Sequence, residues 1–127
     1  MTLSQCIVVV DDERSVRSGL SNLLQSEGYQ TQSFDSAETL LEDRDALANA
    51  ALFIIDARLK GMDGFTLFSE LTRRLGKPPG IIISGHGDEE MQCHALNLGA
   101  IAFMRKPIEI ETLFGHIRRE FSSKEVR

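Results

Sequence analysis

Short apolar segments rich in β-branched residues alternate with longer amphipathic segments along most of the chain. The short segments have the length of buried strands, and the long ones repeat their apolar residues at helical spacing. Five strands are predicted, at about residues 6–10, 30–34, 52–55, 81–83 and 102–105. Five helices are predicted, at about residues 13–27, 36–47, 64–75, 88–98 and 110–121. The second helix is expected to open at Asp35 or Ser36, with Glu38 at capping-box spacing from Asp35.

The strict alternation of strand and helix predicts how these elements are arranged. Parallel strands are joined by right-handed crossovers, which place helices on both faces of the sheet. The first strand, Cys6–Val10, is apolar throughout, as expected for a strand covered on both faces. The second, Gln30–Phe34, is more polar and is expected at an edge. We therefore predict a doubly wound α/β domain with a five-stranded parallel sheet.

Composition and charge match those of an ordinary folded domain. The chain has 127 residues, of which 42% are hydrophobic and 26% charged, with a net charge of −5. These values argue against disordered and fibrous classes. Lysine and arginine are scattered along the chain, so we expect no nucleic-acid contact by this domain itself. DNA would be reached only through a further domain.

The first apolar segment and the cysteines indicate the compartment. Cys6–Val10 has no basic flank before it and is too short for a signal segment or a membrane span. Cys6 and Cys93 lack CxxC spacing and are expected to be reduced thiols, buried or half-buried. We therefore expect a cytoplasmic domain without membrane contact.

Polar residues follow the predicted strands at their carboxyl ends. Asp11 and Asp12 follow the first strand, Asp56 the third, Ser84 the fourth and Lys106 the fifth. Carboxyl ends of parallel strands meet at one edge of a sheet, so these side chains are expected to converge. Three packed carboxylates repel one another unless a cation balances them, and Mg²⁺ suits such oxygen ligands. Because a lysine and a serine could hold phosphoryl oxygens, we predict phosphoryl transfer with Asp56 as the nucleophile.

Five short motifs occur in a set order along the chain. They are Val10-Asp11-Asp12-Glu13, Asp56 with Gly61-Met62-Asp63-Gly64, Ile83-Ser84-Gly85-His86-Gly87-Asp88, Gly99-Ala100 with Phe103, and Lys106-Pro107. Together they resemble the receiver domain of bacterial two-component response regulators. The third motif is most similar to the FixJ-like branch, whose receivers usually precede a DNA-binding domain. The resemblance implies a flavodoxin-like (CheY-like) strand order of 2-1-3-4-5.

The resemblance covers about residues 6–121 and leaves a short polar end. We expect a receiver domain over residues 1–121 and a polar tail or the start of a linker over residues 122–127. The tail has no hydrophobic period, which is typical of a frayed terminus or a linker.

The resemblance also implies a phosphoacceptor and a metal site. Asp56 would accept a phosphoryl group from the phosphohistidine of a sensor histidine kinase or phosphotransfer protein, or from a small acyl phosphate. Mg²⁺, with Mn²⁺ as an alternative ion, would be held by Asp12, Asp56 and the backbone carbonyl of Arg58. Asp11 would act mostly through a water. The domain would catalyse its own phosphorylation and dephosphorylation without being a turnover enzyme.

Further residues are implied in switching. Lys106 and Ser84 would hold phosphoryl oxygens, and Ser84 would move toward the phosphoryl group while Phe103 turns inward. These movements would remodel the surface of the fourth predicted helix, the fifth strand and the fifth helix, with transcription as the expected output. A homodimer could form on that surface after phosphorylation. The Lys106-Pro107 bond would be cis, as X-Pro bonds most readily are.

Two positions next to the site are expected to tune loss of the phosphoryl group. In the family, the positions of Arg58 and His86 border the attacking water. We predict a modified phosphoryl lifetime, whose direction the sequence does not give. Related receivers commonly carry proline where this chain has Lys60, so the loop after Asp56 is expected to be looser or more cationic.

Several of these residues also have plain structural interpretations. Asp11 and Asp12 could cap the first helix, because aspartate is a favoured N-cap. The co-occurrence of all five strand-end residues argues against that interpretation. For Asp63, before a helix, an N-cap or turn role is preferred. Phe103 could be ordinary core, which is the commonest fate of an aromatic residue in a strand.

Other functions remain open at this point. The domain could be a phosphorylation-independent docking or dimerisation module of the same fold. A small phosphohydrolase would need an acid two residues after the nucleophile, where this chain has Arg58. A flavin carrier would need a phosphate-binding loop where the first strand ends in acids.

Overall fold

Strands and helices alternate along the chain in the computed structural model, which describes residues 6–86 and 89–125. The strands are β1 (Cys6–Val10), β2 (Gln30–Phe34), β3 (Ala50–Asp56), β4 (Gly80–Ser84) and β5 (Ala102–Arg105). The helices are α1 (Arg14–Ser26), α2 (Ala37–Leu41), α3 (Arg44–Asn49), α4 (Gly64–Leu75), α5 (Glu89–Asn97) and α6 (Ile110–Glu125).

The five strands form one parallel sheet in the order β2-β1-β3-β4-β5. This confirms the predicted fold class and strand order. β1, β3 and β4 occupy the middle of the sheet, and β1 and β4 are buried along their whole length. β2 lies at one edge and is largely exposed or half-buried, as its polar sequence predicts.

Alternate residues of each central strand face opposite helical layers. Ile7 and Val9 pack against α1 and α6, whereas Val8 and Val10 pack against the layer that contains α2, α3, α4 and α5. All four side chains have no solvent exposure, and each stabilises the fold by roughly 1.5–3 kcal/mol through burial. Because both faces are covered, the open edge at the carboxyl ends of the strands is the natural place for a site.

The second predicted helix, at residues 36–47, was wrong as a single element. It is divided into α2 and α3, because the Asp43 side chain accepts the Ala46 backbone N–H at 3.0 Å and caps a new helix. The capping-box prediction was wrong too. Ser36 is the N-cap of α2, and its side chain accepts the Thr39 N–H. The Glu38 side chain instead accepts the Met62 N–H.

Three smaller differences separate sequence and structure. β3 begins at Ala50, two residues before its predicted start. Cys93 is exposed rather than buried, although both cysteines are free thiols and Cys6 is buried as expected. α6 continues to Glu125 and so includes part of the predicted tail, of which residues 126–127 lie outside the described residues.

Within the described part of the chain, no helix is both long and apolar enough to cross a bilayer.

Candidate functional site

Backbone hydrogen bonds hold the ends of neighbouring strands in register at the carboxyl edge of the sheet. Asp11 N–H donates to Phe34 O at 3.1 Å, and Lys106 N–H donates to Ser84 O at 2.8 Å. Ala57 N–H donates to Ile83 O at 2.7 Å, just beyond Asp56. The strand pairing therefore extends up to the residues that present the polar side chains.

The three acids predicted to converge do lie together. Asp11, Asp12 and Asp56 each present a carboxylate oxygen, and these oxygens lie within 4.8 Å of one another. Asp11 is fully buried, Asp56 is 4% exposed and Asp12 is half-buried. Packing three acids this closely is unfavourable without a compensating cation.

The environment of Asp11 fits a divalent cation at this site. Its Oδ1 accepts the Glu13 N–H at 2.9 Å, so the acid satisfies the backbone at the start of α1. Its Oδ2 is buried and receives no aligned hydrogen bond from the described residues, although the Lys106 ammonium lies 3.0 Å away. An under-coordinated oxygen beside two further carboxylates offers the hard oxygen ligands that Mg²⁺ prefers. Neither Asp11 nor Asp12 is the N-cap of α1, because that position belongs to Glu13.

Lys106 lies between the acids. Its ammonium nitrogen is 3.0 Å from Asp11 Oδ2, 3.3 Å from Asp56 Oδ2 and 3.4 Å from Glu13 Oε1. Burial alone would lower the pKa of Lys106, but the carboxylates of Asp11 and Asp56 together raise it. The side chain therefore stays charged at neutral pH and balances part of the negative charge. The Lys106-Pro107 peptide bond is cis, which confirms that expectation.

Asp56 lies in a mixed electrostatic environment. Burial raises the pKa of its carboxyl group, and the charge of Asp11 raises it further. The Arg58 backbone N–H, which donates to Asp56 Oδ1 at 3.1 Å, and the Lys106 ammonium act in the opposite direction. The Arg58 side chain is exposed. Removing the neighbouring positive charge would therefore favour the neutral acid.

Ser84 lies at the end of β4, where its carbonyl oxygen accepts the Lys106 N–H, and Phe103 lies on β5. The buried Ser84 hydroxyl donates to His86 O and accepts the His86 N–H, both at 3.1 Å, so it points into its own loop. The His86 residue is exposed. Phe103 is half-buried and packs against the core between the sheet and the α2–α5 layer. The end of this motif, Gly87-Asp88, lies outside the described residues.

Reasoning from the sequence missed three contacts near the site. The Arg17 guanidinium donates to Asp11 O at 2.7 Å, and Glu13 contacts Lys106 as described above. Arg17 lies four residues after Glu13, one turn into α1, and so faces the end of β1. This helical spacing was a signal in the sequence for the contact of Arg17 with Asp11. Glu38 Oε2 accepts the Met62 N–H at 2.9 Å across 24 residues, and no local pattern indicates this contact.

Asp63 and Gly64 position the start of α4 against the end of β3. The Asp63 carboxylate accepts the Thr66 N–H at 2.8 Å, which confirms the preferred N-cap role. Gly64 N–H donates to Ala57 O at 3.0 Å. A Cβ on Gly64 would lie 2.1 Å from Asp56 O, so the close approach of the two backbones requires glycine.

Comparisons with known proteins agree with this geometry. Residues 7–118 match the family described as the response regulator receiver domain. Among curated relatives, the transcriptional regulatory protein FixJ of Bradyrhizobium diazoefficiens is 34% identical over 113 residues, 89% of this chain and 55% of the relative. The response regulator protein TmoT of Ectopseudomonas mendocina is 40% identical over 112 residues, 88% of this chain and 50% of the relative. The chain thus spans about half the length of these relatives.

Solved structures show the same similarity. The response regulator StyR superposes with a TM-score of 0.82 at 38% identity, covering 92% of this chain and 59% of that one. The structure titled FIXJ-N superposes with a TM-score of 0.82 at 31% identity, covering 94% of each chain. With the family match across most of the chain and the acidic pocket at the expected strand ends, this protein belongs to the response regulator receiver domain family.

Proposed function

We propose that the domain is a phosphorylation-controlled switch in which Asp56 is the phosphoacceptor. Membership of the receiver family implies a histidine kinase as partner. The donor would be the phosphohistidine of such a kinase, of a phosphotransfer protein, or a small acyl phosphate. The observation that carries this proposal is the position of Asp56 beside Asp11, Asp12 and the Lys106 ammonium at the carboxyl edge of the sheet.

The transfer is a displacement at phosphorus. An Asp56 carboxylate oxygen attacks the phosphorus atom and forms an acyl phosphate, while the bond between phosphorus and the histidine nitrogen breaks. The electron pair of that bond stays on the imidazole nitrogen, which gives neutral histidine once its proton balance with solvent is restored. Loss of the group is the corresponding attack by water, which breaks the bond to the Asp56 oxygen and releases inorganic phosphate.

Charge neutralisation is the main contribution that this pocket would make. Asp12, Asp56 and the Arg58 carbonyl would hold Mg²⁺ or Mn²⁺, with Asp11 acting mostly through a water. When bound, the ion would neutralise negative charge on the acids and on the phosphoryl oxygens. The Lys106 ammonium, 3.3 Å from Asp56 Oδ2, would pair with a phosphoryl oxygen that takes the place of its present contacts.

The switch would begin at Ser84. Its hydroxyl would leave His86 and donate to a phosphoryl oxygen, while Phe103 would turn further into the core. These changes would alter the surface formed by α5, β5 and α6, which we assign as the output surface. We propose that this surface controls transcription through a further domain, with homodimer formation as one means. The receiver domain would act in the cytoplasm and would itself bind neither nucleic acid nor membrane.

Mass spectrometry of the intact protein tests the phosphoacceptor. The protein is incubated with Mg²⁺ and acetyl phosphate, beside Asp56→Asn and beside a sample in which EDTA removes the cation. We expect the mass of one added phosphoryl group in the wild type and none in either control. Unmodified wild-type protein that remains folded by circular dichroism would contradict the proposal and favour a phosphorylation-independent docking module.

A further inference from the structure

We propose that Glu38 is a positioning residue that holds the loop after Asp56 in the conformation needed to bind the cation. This inference rests on the proposed function, because it gives a role to the loop that carries the Arg58 carbonyl. The observation behind it is the 2.9 Å hydrogen bond from the Met62 N–H to Glu38 Oε2. The contact joins α2 to the segment between β3 and α4.

The loop is held at its two ends in different ways. Near Asp56, the Arg58 N–H bonds the phosphoacceptor itself at 3.1 Å, and Leu59 is only 8% exposed. Lys60 and Gly61 are exposed. Glu38 supplies a hydrogen bond from outside the loop at Met62, where the chain returns toward α4. Loss of this bond would free the exposed half of the loop and, through it, the orientation of the Arg58 peptide.

The backbone at Gly61 is shaped to admit the Glu38 carboxylate. Its φ of +79° lies in the left-handed region, which favours glycine. A Cβ at this position would lie 2.8 Å from Glu38 Oε2. The carboxylate therefore approaches the loop backbone directly, at a position that a side chain on residue 61 would obstruct.

Helix α2 is a firm support for this carboxylate. Its two buried residues, Ala37 and Leu40, have no solvent exposure. Ser36 caps the helix by accepting the Thr39 N–H. The Met62 N–H, followed by the amide of Glu38 itself, lowers the pKa of the Glu38 carboxyl group. The acid is therefore ionised at neutral pH, and a charge-assisted hydrogen bond of this kind is stronger than a neutral one.

Two variants separate the hydrogen bond from the charge. Glu38→Ala removes both, whereas Glu38→Gln removes the charge and keeps an oxygen that can accept the Met62 N–H. The matched control is Glu42→Ala, which removes an exposed acid at the end of the same helix. Each protein is titrated with Mg²⁺ while amide resonances are followed, and hydrogen exchange of the Met62 amide is measured on the same samples.

We expect Glu38→Ala to speed exchange of the Met62 amide about fivefold or more, the factor that corresponds to one lost hydrogen bond. We also expect it to weaken Mg²⁺ binding severalfold, with a smaller loss in Glu38→Gln, which keeps a weaker neutral acceptor, and none in Glu42→Ala. Equal Mg²⁺ affinity in Glu38→Ala and Glu42→Ala would overturn the inference. A loss in Glu38→Gln as large as in Glu38→Ala would also overturn it, since charge rather than position would then be responsible.

Neither readout depends on phosphoryl transfer. If the wild type binds Mg²⁺ but does not take up a phosphoryl group, the proposed function fails while the role of Glu38 in holding the loop is still decided. If phosphorylation proceeds and Glu38→Ala retains wild-type Mg²⁺ affinity, only the positioning role fails.

Discussion

The Lys106 ammonium nitrogen lies 3.3 Å from Asp56 Oδ2, although 50 residues separate the two along the chain. The same nitrogen lies 3.0 Å from the fully buried Asp11 Oδ2. One lysine thus serves two buried acids at the ends of different strands. The contribution of Lys106 to the stability of the fold should therefore depend on whether a bound divalent cation also neutralises the charge of these acids.

Replacing Lys106 with methionine keeps most of the side-chain volume but leaves the two acids without their cation. We expect Lys106→Met to lower the free energy of unfolding of the metal-free domain by about 2 kcal/mol, somewhat less than for a fully buried pair. Mg²⁺ should recover much of that loss. Urea denaturation with EDTA and with Mg²⁺ measures both effects, and equal stability of the two proteins in EDTA would show that Lys106 does not balance the charge of the buried acids.

Asp56 is expected to reduce the stability of the metal-free domain at neutral pH. Burial raises the pKa of its carboxyl group, so the folded state holds this proton more tightly than the unfolded chain does. The resulting stabilisation is fully present below the unfolded pKa and is lost as the pH rises through the folded pKa. Asp56→Asn has no such titration. It should therefore be more stable than the wild type at neutral pH.

The pH dependence provides the check on that sign. In EDTA, the advantage of Asp56→Asn should shrink as the pH falls and vanish below the ordinary aspartate pKa. Mg²⁺ should stabilise the wild type more than the variant. Thermal unfolding across this pH range measures the difference, and a variant less stable than the wild type at neutral pH would show that burial is not the dominant influence on Asp56.

Much of this site could be predicted from the sequence because strands end where their apolar runs end. The positions of Asp11, Asp56 and Lys106 follow from that rule and from the parallel sheet. The contact between Glu38 and Met62 could not be predicted in this way, since it depends on how α2 packs beside a loop 24 residues later. The local pattern instead suggested a capping box formed by Asp35 and Glu38. In the structure Ser36 is the N-cap of α2, and the Glu38 carboxylate accepts the Met62 N–H.

The break between α2 and α3 was hidden for a different reason. Apolar residues on either side of Asp43 keep a helical spacing, so periodicity alone runs across the break. Asp43 is a good N-cap, and its bond to the Ala46 N–H favours a new start. The exposure of Cys93 was missed because α5 buries little of its surface, with Ala95 as its buried residue.

Gly64 should tolerate no side chain. Gly64→Ala would place Cβ 2.1 Å from Asp56 O and 2.9 Å from Ala57 Cα, so the backbone must shift. We expect a loss of about 3 kcal/mol in the free energy of unfolding, at the upper end for overpacked sites. Gly19→Ala is the matched control, because its Cβ meets open space on α1, and it should stabilise the protein by up to about 1 kcal/mol. Similar effects of the two changes would contradict the close approach.

The exposed residues next to the pocket are expected to set the lifetime of the phosphorylated protein. Arg58 and His86 are both exposed and each lies two residues beyond a site residue. We expect Arg58→Ala and His86→Ala each to change the rate at which the phosphoryl group is lost. Arg73→Ala, on the exposed face of α4, should leave it unchanged. The rate of hydrolysis is measured by the release of inorganic phosphate. An unaltered rate in both test variants would rule out this tuning role.

Events at Asp56 are proposed to change the surface of α5, β5 and α6, and amide NMR spectra recorded with beryllofluoride and Mg²⁺ would reveal that change. We expect shifts in the wild type that begin at Asp56 and spread through Ser84 to Phe103 and α5. Asp56→Ala, treated in the same way, should show none of them. Shifts confined to the pocket in the wild type, or the same distant shifts in Asp56→Ala, would contradict a phosphorylation-controlled switch.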